Sequence, residues 1–151
     1  MLVGDITTHY AAFEHVINET IWILCNLDDR KGGCITSEII SLKPRFKILI
    51  ALLHELKFEK SIISEAEQLL GRATKTVLFR NKYAHTPIEL AIKDGELVPM
   101  IRHIKIEETL KNDLKEYDFN EMLTTSKRCQ ELTGSAKMLR SNVEKHLELH
   151  L

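Results

Sequence analysis

Apolar residues along the chain recur at helical spacing in four long stretches. The first has Tyr10, Phe13, Val16, Ile17, Ile21 and Leu24 on one stripe with Thr20 between them, and predicts a helix from just after Asp5 or Thr7 to about Leu27. Trp22, Ile23 and Cys25 make its other side apolar as well, so this helix should meet a second surface. Asp28–Gly33 reads as a polar loop with two glycines, and Thr36 as the cap of the next element. A second stripe, Ile39, Leu42, Phe46, Leu49, Leu53 and Leu56, is interrupted by Pro44. Proline inside a helix costs about 3 kcal/mol, which predicts a kink or two short helices there.

The third stripe is Ile62, Ala66, Leu69, Ala73 and Val77. It predicts a helix from near Ser61, with Ser61 or Ser64 as cap and Glu65 and Glu67 favouring its start. That helix should end at or before Thr86, because Pro87 pushes its predecessor out of helical geometry. Ile88, Leu90 and Ile92 then alternate with Glu89, Ala91 and Lys93, and Asp94-Gly95 is a favoured type I′ hairpin turn. Leu97–Ile106 reads as the return strand, with Pro99 restricting it to an edge or a bulge. Charge dominates Glu107–Asp118, and its state stays open. From Phe119 the pattern is helical again, through Met122, Ser126, Cys129, Leu132, Ala136, Leu139, Val143 and Leu147. Its step is close to 3.5 residues, which suits long packing against a bundle or a partner, with Gly134 as its weak point. The expected fold is all-α: a four- to five-helix bundle over one domain, residues 1–151, with a small β-hairpin insertion at about 88–106 before the last long helix. The doubly apolar first helix favours a homodimer.

Composition narrows the function. With 21 basic and 22 acidic residues the net charge is −1, so no whole-protein field draws in nucleic acid, and RNA binding needs a local patch. No apolar run approaches the ~20 residues of a membrane span, and Met1–Asp5 lacks the basic start of a signal peptide. Cys25, Cys34 and Cys129 are odd in number and widely spaced, which fits reduced thiols in a cytoplasmic protein, with Cys25 packing as a small apolar residue. His9, His15, His54, His103, His146 and His150 lack supporting ligands, so neither a metal nor a cofactor is implied. Lys43, Arg45 and Lys47 read as a solvated bend around Pro44.

The chemistry concentrates at the end of the third helix, in Arg80-Asn81-Lys82-Tyr83-Ala84-His85. The apolar stripe, continued at its own step, arrives at Arg80, so a guanidinium stands where a core side chain belongs. Such a group either pairs with a buried carboxylate or faces an anion. Glu14, bordering the Phe13/Ile17 stripe, is the best internal partner. His85 is a group that titrates near neutral pH, and otherwise caps the last carbonyls of its helix. Five helical residues span about 140° of rotation, so one ideal helix would not aim Arg80 and His85 at one phosphate, whereas a two-fold dimer could combine two copies. Arg72, Lys75 and Lys82 form one stripe that either steers a phosphodiester backbone or is a solvated face. Tyr83 either stacks a base or packs between elements.

The hexad resembles the R-x4-6-H signature of HEPN domains in its R-N-x-x-A-H form, carried here by Arg80, Asn81, Ala84 and His85. The order of elements is similar too: a helical bundle, the motif near the end of a central helix, a variable segment and a returning helix. The resemblance implies paired motifs across a dimer that form one metal-independent endoribonuclease site, in a toxin or defence setting. His85 would help remove the ribose 2′-hydroxyl proton, Arg80 would stabilise charge on the phosphate, and Asn81 would orient the imidazole or the phosphate. Some HEPN-like domains are non-catalytic and only dimerise or dock a partner, such as a nucleotidyltransferase subunit or an antitoxin. A third reading is a helical scaffold in which Arg80 is structural.

Overall fold

The structure, a computed structural model, describes residues 2–86, 88–106 and 110–150, the side chains of 103–113 and 150 excepted. Pro87 as the helix stop, part of the 107–118 question, and the ligand question at His103 and His150 lie outside the described residues. The chain forms α1 (Leu2–Leu24), α2 (Asp29–Thr36), α3 (Leu42–Glu55), α4 (Lys60–Ala84), β1 (Ile88–Lys93), β2 (Glu96–Ile106), β3 (Leu110–Glu116) and α5 (Phe119–His150). It is mostly helical, with a small antiparallel sheet of order β1-β2-β3.

Helix α1 is the centre of the bundle. It packs along α5 and also touches α2, α3 and α4. The expected stripe from Tyr10 to Leu24 is buried, and so is Trp22 on the opposite side. Trp22 is covered by α2: its Nε1 donates to Thr36 Oγ1 at 3.1 Å. Gly32 lets the indole in, because a Cβ there would stand 2.3 Å from Trp22 Cγ. The second surface inferred for α1 is therefore supplied within the chain, and α1 no longer argues for a dimer. Cys25 lies past the end of α1 and is exposed rather than packed.

Four local expectations are corrected. Asp28–Gly33 is not a loop: Asp28 caps α2 by accepting from the Lys31 N–H at 2.9 Å. Thr36 does not cap the following element but closes α2, donating to Gly32 O at 3.0 Å. Pro44 neither kinks nor splits α3, because it sits in the first turn, where N–H groups have no intrahelical partner to lose. At the start of α4 the cap position is Glu59, without a side-chain cap bond, rather than Ser61 or Ser64.

The hairpin forms as expected, with positive φ at Asp94 (53°) and Gly95 (85°). A third strand, β3, extends it, so β2 is central and not an edge strand. Pro99 is tolerated because β2–β3 pairing begins only at Met100↔Glu116. The Tyr117 N–H donates to Pro99 O at 3.0 Å, so this side of Pro99 faces the end of that ladder, where its missing N–H removes only a terminal bond. Ile101 joins the main core from β2, and Met122, Cys129, Leu132, Ala136, Leu139 and Val143 join it from α5.

Arg45 was assigned to a solvated bend with Lys43 and Lys47. Those lysines are exposed, but Arg45 is buried. Its Nη1 donates to Glu14 Oε1 and its Nη2 to Ile39 O, both at 2.6 Å. Glu14 is thus the partner of Arg45, not of Arg80. Removing it leaves a guanidinium without its counter-charge at a side chain only 8% exposed. Glu14→Ala should therefore cost about 3 kcal/mol of stability, read by denaturant unfolding. A loss under ~1 kcal/mol would mean the pair behaves as a surface one.

Candidate functional site

The last turn of α4 sends side chains in three directions, and this partition shapes the site. Arg80 turns inward toward α1, where its Cζ stands 5.2 Å from the Tyr10 ring centroid. Burial, followed by the charge of Glu14, pushes the Tyr10 hydroxyl above the usual phenol range, while Arg80 and Arg45 pull it down. Arg80 is half-buried, and its Nε is enclosed without a hydrogen-bond partner. An aromatic face holds this cation, and among the described residues no carboxylate forms an ion pair with it.

The outer end of Arg80 meets the rest of the motif. Its Nη1 donates to Asn81 Oδ1 at 2.9 Å and stands 3.1 Å from His85 Nε2. The separation expected of Arg80 and His85 assumed a helix that continues through residue 85. Instead α4 stops at Ala84, and His85 takes φ −119°, ψ 3° while its N–H still reaches Asn81 O. Leaving the helix swings the imidazole back over Arg80. One chain therefore gathers Arg80, Asn81 and His85. A guanidinium only donates, so a hydrogen bond in this contact requires Nε2 as the lone-pair nitrogen. Asn81 and His85 are exposed. The nearby Cys129 thiol is pushed up to about 11 by burial, against the pull of Arg80, so it is no nucleophile at neutral pH.

Lys82 and Tyr83 point the third way. The Lys82 ammonium and the Tyr83 hydroxyl both donate to Glu121 Oε2 at the start of α5. Tyr83 is 3% exposed and packs edge-on against Tyr117, so its ring has no free face for a base. It follows the packing alternative of the sequence reading. Lys82 departs from the stripe it was grouped with. Arg72 and Lys75 remain exposed and line a groove of about 530 Å³ between α4 and α5, with Phe79, Arg128 and Leu132. Arg128, which the sequence did not single out, lies 5.5 Å over the Phe79 ring.

Glu121 was also missed. The signal was present in Asp118-Phe119-Asn120-Glu121, whose spacing matches a helix start: Asp118 Oδ1 accepts from the Glu121 N–H at 2.9 Å. Burial raises the Glu121 carboxyl, but the hydrogen bonds from Lys82 and Tyr83 outweigh it and hold the group below the usual carboxylate range. A carboxyl more acidic in the fold than in the unfolded chain stabilises the fold while ionised, and loses that advantage as pH falls through its folded pKa. Glu121→Gln should cost about 1–2 kcal/mol near neutral pH, after allowance for partial exposure. The melting-temperature gap to the parent should narrow as pH falls below the usual carboxylate range. A gap that persists in acid would assign the loss to packing.

Among the described residues, no three His, Cys, Asp or Glu side chains are placed to hold a metal ion, and no helix is long and apolar enough to cross a membrane. A scan against protein-family models, a search of curated proteins and a search of solved structures each found nothing that matches this chain.

Proposed function

We propose that the chain is a HEPN-like, metal-independent endoribonuclease acting through Arg80, His85 and Asn81. The carrying observation is the 3.1 Å approach of Arg80 Nη1 to His85 Nε2 at an exposed helix end, around a cation without a carboxylate partner among the described residues. In this reading an RNA phosphate displaces the imidazole from Arg80. The freed His85 Nε2 takes the proton of the adjacent ribose 2′-hydroxyl. The 2′-oxygen attacks phosphorus, the P–O5′ bond breaks, and a 2′,3′-cyclic phosphate and a 5′-hydroxyl result. Arg80 stabilises charge on the non-bridging oxygens, and Asn81 orients the guanidinium. In the two-fold dimer that the resemblance implies, the second copy's His85 protonates the leaving 5′-oxygen. Arg72, Lys75 and Arg128 give a local basic approach for the backbone on a chain of net charge −1. The setting is cytoplasmic, and a toxin or defence role with an antitoxin partner fits it. Exposed free Cys25 and Cys34 suit a reducing compartment.

A second reading, a non-catalytic HEPN-like module that dimerises or docks a partner such as a nucleotidyltransferase subunit, is favoured by one observation. Among the described residues, the hydrogen bonds of Arg80 are internal to the motif.

The readings separate on a mixed RNA substrate. Parent protein should cleave with or without EDTA and leave cyclic-phosphate ends. His85→Ala should lose roughly 10²–10⁴ in rate while melting close to the parent. Arg80→Ala should also lose cleavage, with some loss of stability from the Tyr10 contact. Cleavage that survives His85→Ala, or that EDTA abolishes, would sink the assignment. Parent protein inert on every RNA tested would select the docking module.

A further inference from the structure

The β1–β2 hairpin has two unlike faces. Register pairs Ile88 with Ile101, Leu90 with Pro99 and Ile92 with Leu97, so these six residues share one face. The other face carries the hairpin's ion pairs: Arg102 grips Glu89 with two hydrogen bonds of 2.6 Å, and Lys93 donates to Glu116 at 2.7 Å. At its inner end the apolar face is core, with Ile101 2% exposed. Further out the same face leaves the bundle uncovered. Ile88 is 48% exposed, Leu90 70%, Ile92 77% and Leu97 69%, and Pro99 is exposed between them. A solvated sheet face would carry polar residues there. This one is built like the inside of a sandwich.

We infer that this face is an interface with a second copy of the chain, the two hairpins stacking face to face about a two-fold axis. Charge singles out that occupant. A patch that meets itself must tolerate its own charges, and from 88 to 101 this face has none; Lys115, opposite Ile101, stands one strand over. An acidic partner finds nothing to pair with, and an anionic lipid surface meets a turn with Lys93 but also Asp94 and Glu96. The groove of Arg72, Lys75 and Arg128, with only Glu131 against them, keeps a net positive charge that would repel its own copy. The area also sets the strength. The exposed side chains amount to on the order of 450 Å² per copy, the size of the largest apolar patches monomers carry. Two such patches bury less than a standard interface, which places the contact in the size class of weak, reversible association. This inference does not rest on the endoribonuclease reading.

Sedimentation velocity of the full chain from about 1 to 500 μM tests it. The parent should pass from monomer to dimer across that range. Ile92→Asp and Leu97→Asp should each weaken the dimer roughly 30-fold or more, as loss of a central contact does. Both sites are mostly exposed, so helix content and melting temperature should hold. Leu78→Asp, equally exposed but on α4, should dimerise like the parent. As a measurement that needs no variant, nuclear magnetic resonance shifts on dilution of the parent should concentrate in residues 88–99. A parent monomeric throughout overturns the inference, as does a dimer that resists both substitutions, a dimer lost to Leu78→Asp, or shifts elsewhere. An active monomer removes this interface and the second copy's His85 as proton donor, leaving Arg80 and His85 of one chain as the cleaving set; an inert dimer keeps the interface and removes the endoribonuclease reading.

Discussion

Helix α1 has four helical neighbours, and that enclosure decides where the two inward-facing arginines go. Tyr10 and Glu14 lie four residues apart on α1, hence on one face of it. Arg45 from α3 takes Glu14, and Arg80 from α4 takes the Tyr10 ring. A buried guanidinium needs an anion more than a half-buried one does, and Arg45 is the deeper of the two. Once Glu14 is committed, Arg80 is left with an aromatic face. A ring orients a cation without cancelling its charge. The charge of Arg80 therefore remains for whatever meets the end of α4. The Arg45–Glu14 pair, away from the motif, is what makes Arg80 electrostatically available.

The geometry of the motif depends on a second anchor. Glu121 ties Lys82 and Tyr83 to α5, and this fixes the rotation of the last turn of α4. With residues 82 and 83 held toward α5 and Arg80 toward α1, Asn81 falls on the open side. His85, released from helical geometry, completes the set. The hexad thus holds residues of two kinds. Arg80, Asn81 and His85 form an exposed polar cluster, whereas Lys82 and Tyr83 hold that cluster in place.

Long periodic helices were legible in the sequence because burial on one stripe writes itself at every third or fourth position. The Tyr10–Leu24, Ile62–Ala73 and Met122–Val143 stripes are all core. What could not be read was what depends on a neighbour. Gly32 looked like a loop residue, but it is a helix residue that makes room for Trp22. Pro44 looked like a breaker, because its offset from the helix start was not known. Arg45 stands three residues after Leu42 and one before Phe46, on the buried stripe, yet it was grouped by charge with its exposed neighbours. β3 has four charged residues among its seven and little apolar pattern of its own, and it forms as a strand against the open edge of β2. The sequence names Arg80, Asn81 and His85, and the fold brings these three together, but the choice of Glu14 between two arginines is a tertiary matter. So is the departure of His85 from the helix.

The hairpin changes how the parts relate. The sequence placed the case for self-association on α1, where Trp22 makes a second apolar side. In the fold that side is covered by α2, and the uncovered apolar surface lies on β1 and β2. β1 begins at Ile88, three residues beyond His85, so the hairpin leaves the bundle from the site itself. Two hairpins stacked on their apolar faces would carry the ends of two α4 helices toward one axis. A single chain already gathers Arg80, Asn81 and His85, so pairing is not needed to assemble one set. Its effect would be to bring a second imidazole near the first, which is what separate proton removal and proton donation require. In the proposed dimer of the proposed endoribonuclease, the hairpin would bear on the chemistry by setting the distance between two sites, without contributing a side chain to either.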